Sequence, residues 1–368
     1  MGKIRVLHVL EGMRKGGAEA VVMNLYRNVD RSRVQFDFMV HTTDKCAYDD
    51  EILGLGGRIF RVPLYNVINH LTYKKAWHDF FKNNADNYKV IHAHMISLAS
   101  IYLKIASKYG LKTIAHSHNM GAIKDLKRFI LDMWKIPLKH IADYLFACSL
   151  AAGEWIFGKD HCKNPNFFVL NNGINTEKFI YNQAVREQKR KEFDIENKFV
   201  VGHIGRFATQ KNHSFLIDIF KSIYEKNNNA ALLLVGEGEL RDPIKDKVRA
   251  LGLEASVIFT GVRSDISDLL CAMDVFLFPS LYEGLGIVLI EAQANGLHCI
   301  TSDVVPQEAK VTKLIEYVSL NESASHWADK IFLLAKGYKR QNMQEEITQA
   351  GFEIKKVAKW TEEFYLDA

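Results

Sequence analysis

Two carboxylates and two cations in the second half of the chain have the types and spacing to hold a phosphorylated, hydroxyl-rich ligand. In PSLYEGLGIVLIEAQANG, Pro279 to Gly296, an apolar run carries Glu283 and Glu291, and Gly284, Leu285 and Gly286 directly follow the first acid. Carboxylates in such a run are costly unless something pairs with them. Two that bracket a tight, ligand-hugging glycine turn can accept hydrogen bonds from sugar hydroxyls. Upstream, FVVGHIG runs into RFATQKNHSFLIDIF, which puts Arg206 at a strand end and Lys211 five residues on. A guanidinium fork beside an ammonium suits a diphosphate. On an open surface the same two charges would carry no such meaning; the strand's carboxyl end is what marks them.

Glycine loops supply further anion and ring contacts. EGMRKGGAEA places Gly16 and Gly17 before a helix expected from Ala18 to Asn28, so backbone N–H groups without side-chain bulk stand at a positive helix end. The G-x-G-x-x-G spacing of a dinucleotide loop is absent. Gly236 in GEGEL and Gly261-Val262-Arg263 in TGVRSD follow consecutive strands, the latter able to offer backbone groups to a base ring. In the first half, AHSHN sets His116 and His118 at one strand end, while His92 and His94 end another. Zinc sites use helical or hairpin spacings that these histidines lack, and no metal site is expected.

These residues need elements to position them. Short apolar runs recur with helix-length segments between: IRVLHVL, FDFMV, KVIHAH, KTIAH, YLFACS and FFVL, then FVVGHIG, AALLLVG, VIFTG, VFLFPS and HCITS. Continuous apolarity marks strands covered on both faces, and the helices between make the sheets parallel. The chain is therefore expected to be α/β and wound twice, with a polar boundary over residues 175–198 and a ligand cleft between the domains. With 368 residues, 48% hydrophobic and 25% charged, there is enough chain for two cores. Five cysteines without a C-x-x-C pair argue against a disulfide framework and fit a reducing cytoplasm. The first apolar run, Ile4 to Leu10, is interrupted by Arg5 and His8 and is read as a strand rather than a signal peptide. No run is long enough to span a bilayer.

As a set, Glu283-x7-Glu291, Gly205-Arg206 with Lys211-Asn212, the Gly16-Gly17-Ala18-Glu19 loop and Gly236-Glu237-Gly238 resemble the motifs of retaining glycosyltransferases of family 4. The resemblance covers nearly the whole chain and is strongest from 200 to 296. It implies the GT-B fold: two Rossmann-like parallel-sheet domains facing a central cleft, with a C-terminal helix crossing back to the first. The domains would be 1–178 on the acceptor side and 179–348 for the nucleotide sugar, with the helix in 349–368. It also implies roles. Arg206 and Lys211 would stabilise the departing nucleoside diphosphate, assisted by Gly16 and Gly17; Glu291 would take the ribose hydroxyls; Glu283 would sit near the transferred sugar. His116, a better match than His118, would lie against that sugar, leaving His118 for the acceptor side. The acceptor would attack the face the diphosphate leaves. No D-x-D, the carboxylate pair of metal-dependent GT-A transferases, occurs in the chain, so no metal is expected to be required. The chain departs from the family pattern at Val304 to Glu308, where a glycine-rich, acid-containing loop is usual and the variant looks like exopolysaccharide and capsule-type members.

The expected reaction is transfer of a hexose or N-acetylhexosamine, from a UDP- or GDP-sugar, to a glycan or polyprenyl-diphosphate-linked acceptor. A sugar-nucleotide epimerase and a non-catalytic nucleotide-sugar-binding partner subunit are the competing readings. Residues 1–178 hold 25 Lys and Arg against 16 Asp and Glu, whereas the remainder holds 23 against 27. Lys124 to Tyr144 alternates cations with apolar residues at helical spacing, as a core helix with a basic outer face would and as a segment lying on an anionic membrane would. Peripheral attachment on the inner membrane face is thus an expectation. Nucleic acid is not, since the basic residues are dispersed and no recognition motif is present.

Overall fold

The computed structural model describes residues 3–14, 16–118 and 137–368. The chain divides into two compact units. One comprises Met1–Ile174 with Gly351–Ala368, the other Asn175–Ala350.

The first unit is built on a seven-stranded parallel sheet ordered β3-β2-β1-β4-β5-β6-β7. Its strands are β1 (Ile4–Leu10), β2 (Val34–Val40), β3 (Ile59–Arg61), β4 (Val90–Ala93), β5 (Lys112–Ser117), β6 (Tyr144–Ala147) and β7 (Phe167–Val169). Alternate residues of β1 feed opposite cores, as a doubly covered sheet requires. Leu7 and Val9 pack with Trp77 and Tyr102, from helices α2 (His70–Asn84) and α3 (Ile96–Lys108). Val6 and Leu10 pack on the other face with Val22 and Tyr26 of α1 (Gly17–Asn28).

The second unit has a six-stranded parallel sheet, β10-β9-β8-β11-β12-β13. These are β8 (Phe199–Ile204), β9 (Ala230–Val235), β10 (Val257–Phe259), β11 (Val275–Phe278), β12 (His298–Ser302) and β13 (Ile315–Val318). Every residue of β9 and β11 is buried. Helices α4 (His213–Lys226) and α5 (Ile287–Ala294) follow β8 and β11. In both sheets the strand order reverses beside a central strand, at β1/β4 and at β8/β11, which is where parallel α/β sheets bind ligands at their carboxyl ends.

The last helix, α6 (Ile354–Asp367), returns to the first unit. Ile354, Val357, Ala358 and Tyr365 are buried in the core that holds Val6 and Tyr26. Phe364 and Trp360 meet Phe146 and Phe168 ring to ring. Two strands lack a signal in the apolar runs: β3 (IFR) and β13 (IEYV) are short edge strands with a polar member each.

Candidate functional site

In the second unit, the loops after β8 and β11 meet at the point where the strand order reverses. Lys211 ends a 3-10 turn, Thr209–Lys211, and Asn212 then takes a left-handed conformation (φ +53°) to start α4. The Lys211 Nζ lies 2.6 Å from Glu283 Oε1 and 4.6 Å from the centre of the Phe278 ring. Both members are largely dry, with side chains 17% and 6% exposed, so the pair is held in a setting where its geometry matters. Two more bonds tie the loops: Leu281 N to Gln210 O at 2.8 Å and Gln210 Nε2 to Tyr282 O at 3.0 Å.

Arg206 leaves the same strand end but stays 73% exposed, reaching Glu239 Oε2 at 3.0 Å. Its loop is fixed from below by GEGEL. The Phe207 N–H donates to Glu237 O, and Leu240 N–H to Phe207 O. A side chain on Gly236, whose φ is +138°, would collide with the carbonyl of Gly205, and one on Gly238 with the backbone of Phe207. These glycines therefore have a packing reason to be glycine, apart from any ligand.

Beyond Glu283 the chain turns through Gly284 and the buried Leu285 to Gly286 (φ +81°), which opens α5. Glu291 is the half-buried polar residue of that helix, and its carboxylate has no hydrogen bond or ion pair among the described residues. Desolvation pushes its pKa up to about 7, with Lys178 pulling the other way. Two residues later the fully buried Gln293 donates to Leu289 O and Ala309 O and accepts from Thr312. It thereby ties the segment following Val304 to Glu308 to the helix that carries Glu291. Sequence reasoning missed Gln293; its signal was a lone amide in an apolar helix.

Arg263 is committed by its side chain to Asp265 (2.6 Å) and Glu192 (2.9 Å), while Val262 is exposed. The carbonyl of Gly261 accepts from Gly236 N–H at 2.9 Å, so the two glycine loops are joined. His203 and His213, also unnoticed in the sequence, are buried beside Lys211; burial lowers both, His213 to about 4.

In the first unit, Gly16 caps α1 with ordinary extended backbone (φ −116°), and Gly17 begins the helix with open space where a side chain would lie. The Glu19 carboxylate folds back over Gly16, and desolvation raises its pKa. His116 and His118 belong to a larger group: His8 of β1, the β4 residue His92, and His94 join them on one face of the sheet. His8 had looked like a mere interruption of an apolar strand. Of Lys124 to Tyr144, the portion up to residue 136 lies outside the described residues. No described helix is long and apolar enough to cross a membrane.

Comparison with known proteins follows the same division of the chain. The family model Glycosyltransferase Family 4 matches residues 15–178, and Glycosyl transferases group 1 matches residues 185–351. EpsF of Bacillus subtilis (strain 168), itself assigned as a glycosyltransferase rather than shown to be one, is 38% identical over 95% of this chain and 93% of its own length. An Escherichia coli protein named UDP-Gal:alpha-D-GlcNAc-diphosphoundecaprenol alpha-1,3-galactosyltransferase is 29% identical over 60% of this chain and 59% of its own. Among solved structures, HepE of Anabaena, in complex with UDP and glucose, superposes with a TM-score of 0.81 at 18% identity, covering 99% of this chain and all of that one.

Proposed function

The chain belongs to glycosyltransferase family 4 and has the GT-B fold, and from that premise we propose that it moves a hexose or N-acetylhexosamine from a nucleoside-diphosphate sugar, with retention, to a glycan or polyprenyl-diphosphate-linked acceptor. Relatives in capsular polysaccharide biosynthesis, such as CapM of Staphylococcus aureus (31% identical over half of each chain), support a role in polysaccharide assembly. The solved HepE complexes hold UDP or UDP-glucose, which favours a UDP-sugar as donor here.

The observation that carries the reading is the Lys211–Glu283 pair at the reversal point of the second sheet, with Arg206 exposed beside it. Arg206 offers its fork to the diphosphate. Lys211, held by Glu283 and the Phe278 ring, presents a fixed positive charge where negative charge grows as the sugar leaves. A cation positioned beforehand needs no reorganisation during the reaction, and that is the main contribution a site of this kind can make. Glu283, so placed, remains available to a sugar hydroxyl through its second oxygen. Glu291 accepts from the ribose hydroxyls in its ionised form, and Gly236, Gly261, Val262, Arg263, Gly284, Leu285 and Gly286 shape the remaining donor contacts. In the first unit, Gly16 and Gly17 assist by backbone N–H, His116 meets the transferred sugar and His118 serves the acceptor. Side chains meet the diphosphate charge in this scheme, without a metal ion. Peripheral attachment to the inner membrane face would bring a lipid-linked acceptor within reach.

Calorimetry with UDP, GDP, ADP and their sugars, each with and without EDTA, tests the proposal. One nucleotide family is expected to bind in the micromolar to millimolar range regardless of chelator. Binding of none would remove the donor reading, and EDTA-sensitive binding would remove the metal-free scheme.

A further inference from the structure

The buried histidines of the first unit form two hydrogen-bonded columns, and only one of them has an end that fixes its direction. In the first, the Tyr365 hydroxyl of α6 lies 2.6 Å from His92 Nδ1, and His92 Nε2 lies 3.1 Å from His116 Nδ1. His116 Nε2 is buried and has no partner among the described residues. In the second, His8 Nδ1 meets His94 Nε2 at 2.9 Å, and His94 Nδ1 meets His118 Nε2 at 2.7 Å, with nitrogens at both ends that have no partner among the described residues.

Three of these nitrogens at a time could be imagined around a cation. The separations argue otherwise. Two imidazoles on one tetrahedral zinc hold their nitrogens about 3.3 Å apart, given zinc–nitrogen bonds of about 2.0–2.1 Å. Pairs at 2.7 to 3.1 Å are each sharing a proton.

The direction of sharing follows from counting orphaned groups. Were Tyr365 to accept from His92, its own O–H would be buried without an acceptor, and His116 Nε2 would end the column as a bare, unsatisfied acceptor. With Tyr365 donating to His92 Nδ1, His92 carries its proton on Nε2 and donates to His116 Nδ1, and His116 in turn carries its proton on Nε2. One group is then orphaned instead of two. Burial and the neighbouring imidazoles hold both rings neutral, well below the usual histidine range.

We propose that Tyr365 is a positioning residue, which acts through His92 to fix His116 as the Nε2–H tautomer and so makes it a neutral hydrogen-bond donor toward a substrate oxygen. The proposal rests on the reading of His116 as a substrate contact. The residue that sets this donor lies 249 positions away in sequence, on the last helix.

Long-range proton–nitrogen spectra of the histidine-labelled full chain test it, together with steady-state turnover read as release of nucleoside diphosphate from the nucleotide sugar that the calorimetry identifies. The wild type is expected to show the Nε2–H form alone at His92 and His116. Tyr365→Phe, and His92→Phe as a second break in the column, are expected to give mixed tautomers at His116. Turnover should fall about tenfold with donor KM changed less than twofold, the pattern of an interaction felt in the transition state. An Nδ1–H form at His116 in the wild type, or an unchanged His116 spectrum in both variants, overturns the relay. Unchanged turnover in His116→Ala would instead overturn His116 as a substrate contact, while the spectra still decide what Tyr365 does.

Discussion

Lys211 and Glu283 hold each other, so removing one exposes the other to an unfavourable setting. Lys211→Ala would leave the buried Glu283 carboxylate without its partner. Broken buried pairs are costly, and with Lys211 partly wet the loss is expected to be about 3 kcal/mol, read as a lowered denaturant midpoint. Lys211→Met with Glu283→Gln removes both charges and is expected to recover most of that stability, while transfer is expected to be abolished in both variants. Activity in the double variant would take Lys211 out of the mechanism. Glu291 behaves differently because its carboxylate has no partner among the described residues. Its pKa is about 7 in the folded protein, above the usual carboxylate value, so its contribution to stability is intact at low pH and is lost as pH rises from about 4.5 through 7. Glu291→Gln is therefore expected to raise the melting temperature by about 2–5 °C at pH 8 and hardly at all at pH 4.5, while weakening donor binding. Wild-type donor affinity should rise with pH through 7; a flat profile would mean that the ionised form is not the ribose acceptor. The types of these residues were legible in the sequence. That Lys211 would be spent on Glu283 was not, since 72 positions of chain say nothing about which loop tips touch.

At the scale of elements, glycines that look alike in the sequence do different things. Gly236 sits at φ +138° against the Gly205 carbonyl, so Gly236→Ala must displace the loop that bears Arg206. It is expected to cost about 2–3 kcal/mol and to raise donor KM together with that loss. Gly17 meets nothing within 4 Å, so Gly17→Ala should leave the melting temperature within about 1 °C. A severalfold rise in donor KM is then expected if its N–H faces phosphate, and no change would remove this glycine from the donor site. Strands β9 and β11 were legible because burial on both faces demands continuous apolarity, and β1, β2 and β8 because their runs are broken only by single polar residues. The edges β3 and β13 were not, because one side of an edge strand need not be apolar. The five-histidine face was half visible: His92, His94, His116 and His118 stand at named strand ends, but pairing His8 with His92 required the β1–β4 register.

For the whole molecule, the two units differ in continuity. Residues 175–350 form an uninterrupted unit with its own core around Leu216, Phe220, Leu232 and Trp327. Expressed alone, this segment is expected to fold cooperatively and to bind the same nucleotide as the full chain. Residues 1–174 alone lack α6, whose Ile354, Val357 and Tyr365 each fill the core with about 1.5–3 kcal/mol of burial. Set against a net stability of about 5–15 kcal/mol, that loss is expected to leave the fragment unfolded or aggregated, with adding 351–368 in trans restoring solubility. A soluble, cooperative 1–174 fragment would show that α6 is dispensable to its core. The return of α6 also sets a timetable for biosynthesis. The amino-terminal sheet is made first, yet its last structural piece leaves the ribosome only after the intervening 176 residues, a delay of about 10–35 s at ordinary elongation rates. Through that interval the younger, continuous unit can complete itself first, and the older one must be kept from aggregating with its Tyr365 position still vacant.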